Sequence, residues 1–416
     1  MTAQRETRVR PVDMTSSAVR STPPATRTVV AIGSIISVAF MGSVIVTPLY
    51  SLYQAKFGFS EVVLTLIYAV YVVGNVAALL LFGQISDEIG RKPVALLGIG
   101  VAAASALVFL FASATAWLFA GRLLIGLAVG ILSGTGTAWM AERYGPARRS
   151  TATVAAATAN LAGIAVGPLI GGLLAQYVAG PLRVPFLVYL AVLAVVVIAI
   201  WQAPDPRPAR IKRLGELRVR PRIGVPADRL GAFAPPAIAG FVTFALGGLY
   251  FALIPGIVIR DLHQHNLAVG GLIVFELGAI GAALIVLGRR LRPITAMTSG
   301  LISLVPAVAL IVTAQATGSM ALLLIATAFG GVTLALGYRG SLQVVNQIAP
   351  DDQRAEFVST YFIACFIGNS IPVIGIGLLA TLTDPLTASI VFACTVAALS
   401  IAALRSRRLD PGSADS

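Results

Sequence analysis

Apolar stretches about 20 residues long recur twelve times along this chain, and no other feature limits its fold so strongly. A helix rising about 1.5 Å per residue needs roughly that length to cross the hydrocarbon of a bilayer. The runs fall near 28–50, 62–82, 93–112, 116–139, 151–175 and 184–201, then near 233–257, 268–287, 295–314, 320–344, 358–380 and 385–404. Of the 416 residues, 57% are hydrophobic and 11% charged, and the mean hydropathy is +0.90. A soluble core cannot enclose so much apolar surface, so lipid is the expected solvent. Lipid offers the backbone no hydrogen-bond partner, and the runs therefore read as helices. The expected fold class is an all-α membrane protein with twelve transmembrane helices.

A formal net charge of +13 could suggest a nucleic-acid partner, but the positions of the charges exclude that class. Twenty-five Lys and Arg residues fall in the tails and in the loops on one side of the expected spans. Only Lys56, Arg183 and Arg260 fall in loops on the other. Such a bias places both termini in the cytoplasm, which requires an even number of spans. Residues 1–27 are polar, rich in Ser, Thr, Pro and Arg, and read as a disordered tail without a signal peptide. A basic, proline-rich linker at 203–231 separates a six-helix bundle at 28–202 from a second at 232–405, and 406–416 forms a short cytoplasmic tail. Cys365 and Cys394 lie in apolar runs and read as packing residues.

The two bundles echo each other. Gly83, Gly90, Arg91 and Lys92 close the second run, and Gly281, Gly288, Arg289 and Arg290 close the eighth at the same spacing. Pro146 and Arg148 follow the fourth run as Pro350 and Arg354 follow the tenth. Repeated halves suit a transporter, because rocking one on the other exposes a central site to either side in turn.

The loop after the second run reads Gly83-Gln-Ile-Ser-Asp87-Glu-Ile-Gly90-Arg91-Lys92. Its glycines permit a tight turn, and Asp87 can accept from a helix N-terminus or pair with an arginine, which together would latch one state of the rocking cycle. The second copy has Ile285 in place of the acid. The loop resembles the signature of the major facilitator superfamily at Gly83, Asp87, Gly90, Arg91 and Lys92. That resemblance implies two pseudo-symmetric six-helix bundles in the major facilitator fold. The fifth run carries Gly163, Gly167, Pro168, Gly171 and Gly172; its glycines at i, i+4 and i+8 let another helix approach, and Pro168 bends the span. This run resembles the antiporter motif of the drug:proton exporters of that superfamily, which favours export.

Charge inside the spans is expensive, about 2.5 kcal/mol or more per residue, and marks candidate function. Arg122 lies about 10 Å into the fourth run, too deep to snorkel easily. The resemblance implies a part in proton transfer; ties to backbone carbonyls are the packing alternative. Glu276 lies roughly 13 Å into the eighth run, where burial favours the neutral, proton-bearing acid. Tyr68, Tyr71 and Asn75 form one polar stripe, Tyr361, Cys365 and Asn369 another, and Asn160 and Tyr250 stand elsewhere. They are candidates to line a cavity for an amphipathic substrate, interhelical bonding being the alternative. Trp117 and Trp139 read as interface anchors and Arg339 as a residue that snorkels. Asp261, His263 and His265 lack a fourth ligand, so no metal is expected, and without a Gly-rich phosphate loop no nucleotide or other cofactor is expected either. Many relatives carry an acid in span 1, where this chain has Phe40-Met41-Gly42-Ser43.

The expected protein is no enzyme. It is a monomeric secondary transporter of the bacterial inner membrane, exporting small apolar or amphipathic compounds against protons. The alternatives are uptake of a sugar or organic acid with protons, and a membrane sensor that transports nothing.

Overall fold

The computed structural model describes residues 26–82, 85–145, 148–203, 224–350 and 353–406. The 1–25 tail, linker residues 204–223, Gly83, Pro146 and the 407–416 tail lie outside them. Among the described residues, twelve helices are long and apolar enough to cross a membrane. We number them as spans 1 to 12: Thr26–Phe57, Glu61–Leu79, Arg91–Leu110, Thr115–Tyr144, Thr151–Tyr177, Val184–Gln202, Ala227–Ala252, Leu267–Arg290, Pro293–Thr317, Met320–Ile348, Glu356–Leu382 and Pro385–Ser406. Short connections make successive spans antiparallel. Span 12 shows how one starts: Pro385 occupies its first turn, and the Asp384 carboxylate accepts from the Thr387 amide at 2.9 Å and its hydroxyl at 2.5 Å.

Within the first six spans, span 4 packs on spans 2 and 3, span 5 on span 1, and span 6 on span 3. Within the last six, span 7 packs on span 11, and span 9 on spans 10 and 12. Among the described residues the halves meet chiefly through two pairs, span 5 with span 8 and span 2 with span 11. Spans 1 and 7 break alike. Span 1 pauses in a 3-10 turn at Thr47–Leu49 holding Pro48, and span 7 is followed by a short helix, Ile254–Arg260, with Pro255 in its first turn. Proline cannot donate to the helical ladder, so each chain bends at the matching place. Span 10 contains a π-helical turn, Thr333–Gly337, a rare form that often stands at functional positions.

Two expectations need correction. Trp139 is no interface anchor: it is fully enclosed in the packed interior of the first half. Hydropathy alone does not distinguish a ring facing headgroups from one facing other helices. Arg339 does not snorkel either. It is buried, and its guanidinium donates to the Gly288 and Arg289 carbonyls, the latter at 2.8 Å. The Gly288 carbonyl already accepts from the Leu291 amide, and Arg339 adds to that bond and supplies a donor to the Arg289 carbonyl at the end of span 8.

Candidate functional site

Arg122 is the most enclosed cation among the described residues, at 1% exposure. Span 1 loses its α-helical ladder after Val44, so the preceding carbonyls need other donors. Arg122 supplies one, donating through Nη1 to the Ser43 carbonyl at 2.5 Å and through Nη2 to the Tyr68 carbonyl at 3.4 Å. Its guanidinium carbon lies 5.0 and 4.9 Å from the Tyr68 and Tyr71 ring centroids, within cation–π range. No carboxylate among the described residues pairs with it, and Nε has no partner. One arginine thus ties spans 1, 2 and 4 together. The Tyr68 hydroxyl continues this network across the molecule, donating to Asn369 Oδ1 of span 11 at 3.0 Å.

Glu276 stands apart from that centre, and no hydrogen bond or ion pair joins it to Arg122 among the described residues. It is half-buried on span 8, its Oε2 enclosed without a hydrogen-bond partner, within electrostatic reach of Tyr250. The other polar candidates divide by burial. Asn75 packs against Gly130 of span 4. The Tyr250 hydroxyl donates to Thr327 at 3.1 Å, and Tyr361 shares a 2.7 Å bond with Ser341 beneath Gly240. These side chains stitch helices within one half. Asn160 is half-buried and its Oδ1 lacks a partner.

The glycine run of span 5 divides its work between two neighbours. A Cβ at Gly163, Gly167 or Gly171 would strike the Ser37, Met41 or Ile45 carbonyl of span 1, so these three residues set the packing inside the first half. Gly172 and the Pro168 carbonyl face Leu267 and Gly271 of span 8, in the other half. Gly278 continues that seam against Ala165.

On the side away from the basic loops, further contacts join the halves. Glu61 at the start of span 2 forms an ion pair with Arg260 after span 7. Gln176 Oε1 accepts from the Leu267 amide at 2.8 Å, and Asn266 Nδ2 donates to the Tyr177 hydroxyl at 3.1 Å. The basic side is organised within each half instead. Gly90 adopts φ 115°, open to glycine alone, and turns Arg91 toward Glu142 at the end of span 4. The two-pronged pair measures 2.8 and 3.3 Å, while Lys92 donates to the Trp201 carbonyl at 3.0 Å. Asp87 lies in a short helix, Ile85–Ile89, with its side chain outside the described residues. In the second half, Arg339 joins the counterpart loop and span 10. The same elements are tied in both halves, but the arginine has moved from loop to span. Sequence reasoning passed over Glu61 and Glu142 and read Arg260 only as a loop charge; their position at span ends was the available signal.

The profile of the Major Facilitator Superfamily matches residues 32–373. Among curated relatives, the MFS-type transporter traF of Penicillium crustosum is 28% identical over 162 residues, 39% of this chain and 34% of the relative. The human vesicular acetylcholine transporter is 35% identical over 152 residues, 36% and 27% of the respective chains. These alignments span about a third of the relatives' length or less. Two solved structures share the fold over nearly the whole chain. The human organic anion transporter MFSD10 (TETRAN) has TM-score 0.66 and 18% identity, covering 92% of this chain and 100% of its own. A bacterial homolog of the human lysosomal transporter Spinster, solved inward-facing and unoccupied, has TM-score 0.68 and 15% identity, covering 93% and 98%. The chain belongs to the Major Facilitator Superfamily and is a multi-pass membrane transporter, not an enzyme.

Proposed function

We propose that this transporter exports small apolar or amphipathic compounds in exchange for protons, by alternating access in a cell membrane with both termini cytoplasmic. The enclosed, unbonded Oε2 of Glu276 carries the proposal. An ionised carboxylate in that position would leave charge unsatisfied in an apolar surround, whereas the protonated acid carries none. Loading and unloading that proton changes the relative stability of the two rocking states only if they solvate Glu276 differently. Span 8 is one of the helices at the seam between the halves, and its movement there supports a change of surround for Glu276. The exporter-like run Gly163 to Gly172 supports the outward direction.

The test is dye accumulation in inverted membrane vesicles with an acid lumen. Accumulation should collapse when the gradient is dissipated. Glu276→Gln should abolish gradient-driven uptake at normal protein abundance, while Glu276→Asp retains part of it. Unchanged coupled transport in Glu276→Gln vesicles would sink the proton assignment. Proton movement in the same direction as the substrate would replace exchange with symport.

A further inference from the structure

Three spans of the second half bring aromatic rings to one place. The Phe244 ring of span 7 meets Tyr338 of span 10 at 5.6 Å and Phe366 of span 11 at 5.9 Å, both edge to face. Phe362 lies 6.5 Å from Tyr338 and 6.2 Å from Phe366. Phe366 is buried behind the others, while Phe244, Tyr338 and Phe362 remain half-exposed.

Helical phase shows where those faces look. Phe362, Phe366 and Asn369 stand at i, i+4 and i+7, on one side of span 11. Asn369 reaches Tyr68, so this side faces the first half. Ile367 and Ile371, strongly exposed, lie on another side of the same helix. At Asn369 the halves touch; about 10 Å nearer the basic side, at Phe362, the ring is only partly covered. The halves therefore diverge between these positions.

Span 10 points the same way. Before its π turn it exposes only apolar large side chains, Leu324, Ile325 and Phe329, as contact with lipid requires. After the turn, Gln347 is exposed and Asn346 half-exposed, polar groups that hydrocarbon would leave unsolvated. This end of span 10 is therefore solvated, and Tyr338 stands where its apolar stretch gives way to polar residues. The π turn is pinned, with Thr333 donating to the Gly300 carbonyl at 3.2 Å and Gly337 pressed on Gly300 and Thr243.

We propose that Phe244, Tyr338 and Phe362 form a shelf that binds the flat aromatic or fused-ring part of the transported molecule. The inference rests on the transport reading and narrows its substrate class. Ring faces left open beside water gain from stacking and from burial of their area. An alkyl chain recovers the burial but not the stacking.

Binding of 9-aminoacridine to the purified full chain in detergent, read by fluorescence polarisation without a gradient, tests the shelf. Dodecylamine, a cation without a ring, should compete at least about tenfold less well. Phe362→Leu and Tyr338→Leu should each weaken acridine binding about three- to tenfold, and Phe362→Trp and Tyr338→Phe should preserve it. The ring-preserving variants separate lost stacking from a damaged fold. Equal competition by dodecylamine, equal loss in both kinds of variant, or no binding by 9-aminoacridine, ethidium and rhodamine 6G would each overturn the shelf. The readout is independent of coupling. Selective ring binding in a protein with no gradient-driven flux would retain the shelf and remove the exporter reading. Proton-driven efflux indifferent to Phe362→Leu would do the reverse.

Discussion

Arg122 combines two carbonyl bonds, two tyrosine faces and one unpartnered Nε in a space closed to solvent. Removing it would leave the Ser43 carbonyl without this donor, at about 1–3 kcal/mol, while the Tyr68 carbonyl keeps its partner within the helix. Lysine keeps a charge but cannot fork to two carbonyls or stack as a plane. Arg122→Ala should therefore lower the thermal unfolding midpoint in detergent, and Arg122→Lys should lower it less. An unchanged midpoint in both, with transport lost, would move Arg122 from scaffold to proton path. Its depth was legible in the sequence because one charge interrupts an apolar run. Its partners were not, since Ser43 lies 79 residues away and offers a backbone carbonyl that no residue type announces. Trp139 and Arg339 were misread for a related reason, as composition records polarity but not which neighbour faces it.

Elements were easier to read than contacts. Every expected span is present, because the need for about 20 apolar residues survives small errors at the ends. The breaks after Val44 and Ala252 were within reach of sequence reasoning through Pro48 and Pro255. The π turn was not, since Thr-Leu-Ala-Leu-Gly is unremarkable in an apolar run. The antiporter-like glycines pointed to close packing without saying with which helix, and the answer differs along the run. Gly271 lies where span 8 presses on Pro168 and Gly172. A leucine there has no room and should part spans 5 and 8. Gly271→Leu is expected to cut transport strongly and favour the state open on the side away from the basic loops. A membrane-impermeant maleimide should then label Thr65→Cys, which is fully enclosed when the seam is closed. The background should carry Cys394→Ser, because Cys394 is exposed while Cys365 is buried. Unchanged labelling would show that the seam tolerates bulk without opening.

At the scale of the whole molecule, the two halves are held by contacts that differ in kind and in reach. The Glu61–Arg260 pair, the Gln176 and Tyr177 bonds and the glycine seam cross between the halves on one side. The Arg91–Glu142 and Arg339 ties on the basic side stay within one half each. Rocking toward the opposite opening must break the first set and can leave the second intact. Breaking the exposed ion pair alone is cheap, typically about 0–1 kcal/mol, so helix packing must supply most of the closure. Glu61→Gln should consequently change transport only modestly, whereas a covalent tie across the packed seam should stop it. Thr65 and Gly377 offer that tie: a Cβ at Gly377 would lie 2.6 Å from Thr65 Oγ1 and 2.7 Å from its Cγ2. Both atoms are bonded to the Thr65 Cβ, which brings the two Cβ positions close to the separation of about 3.5–4.5 Å that a disulfide needs. Oxidised Thr65→Cys/Gly377→Cys protein should lose substrate flux and regain it on reduction, while the Thr65→Cys single variant stays active under both conditions. Full flux through the oxidised double variant, with the bond verified by mass, would mean that these ends of spans 2 and 11 need not separate during transport.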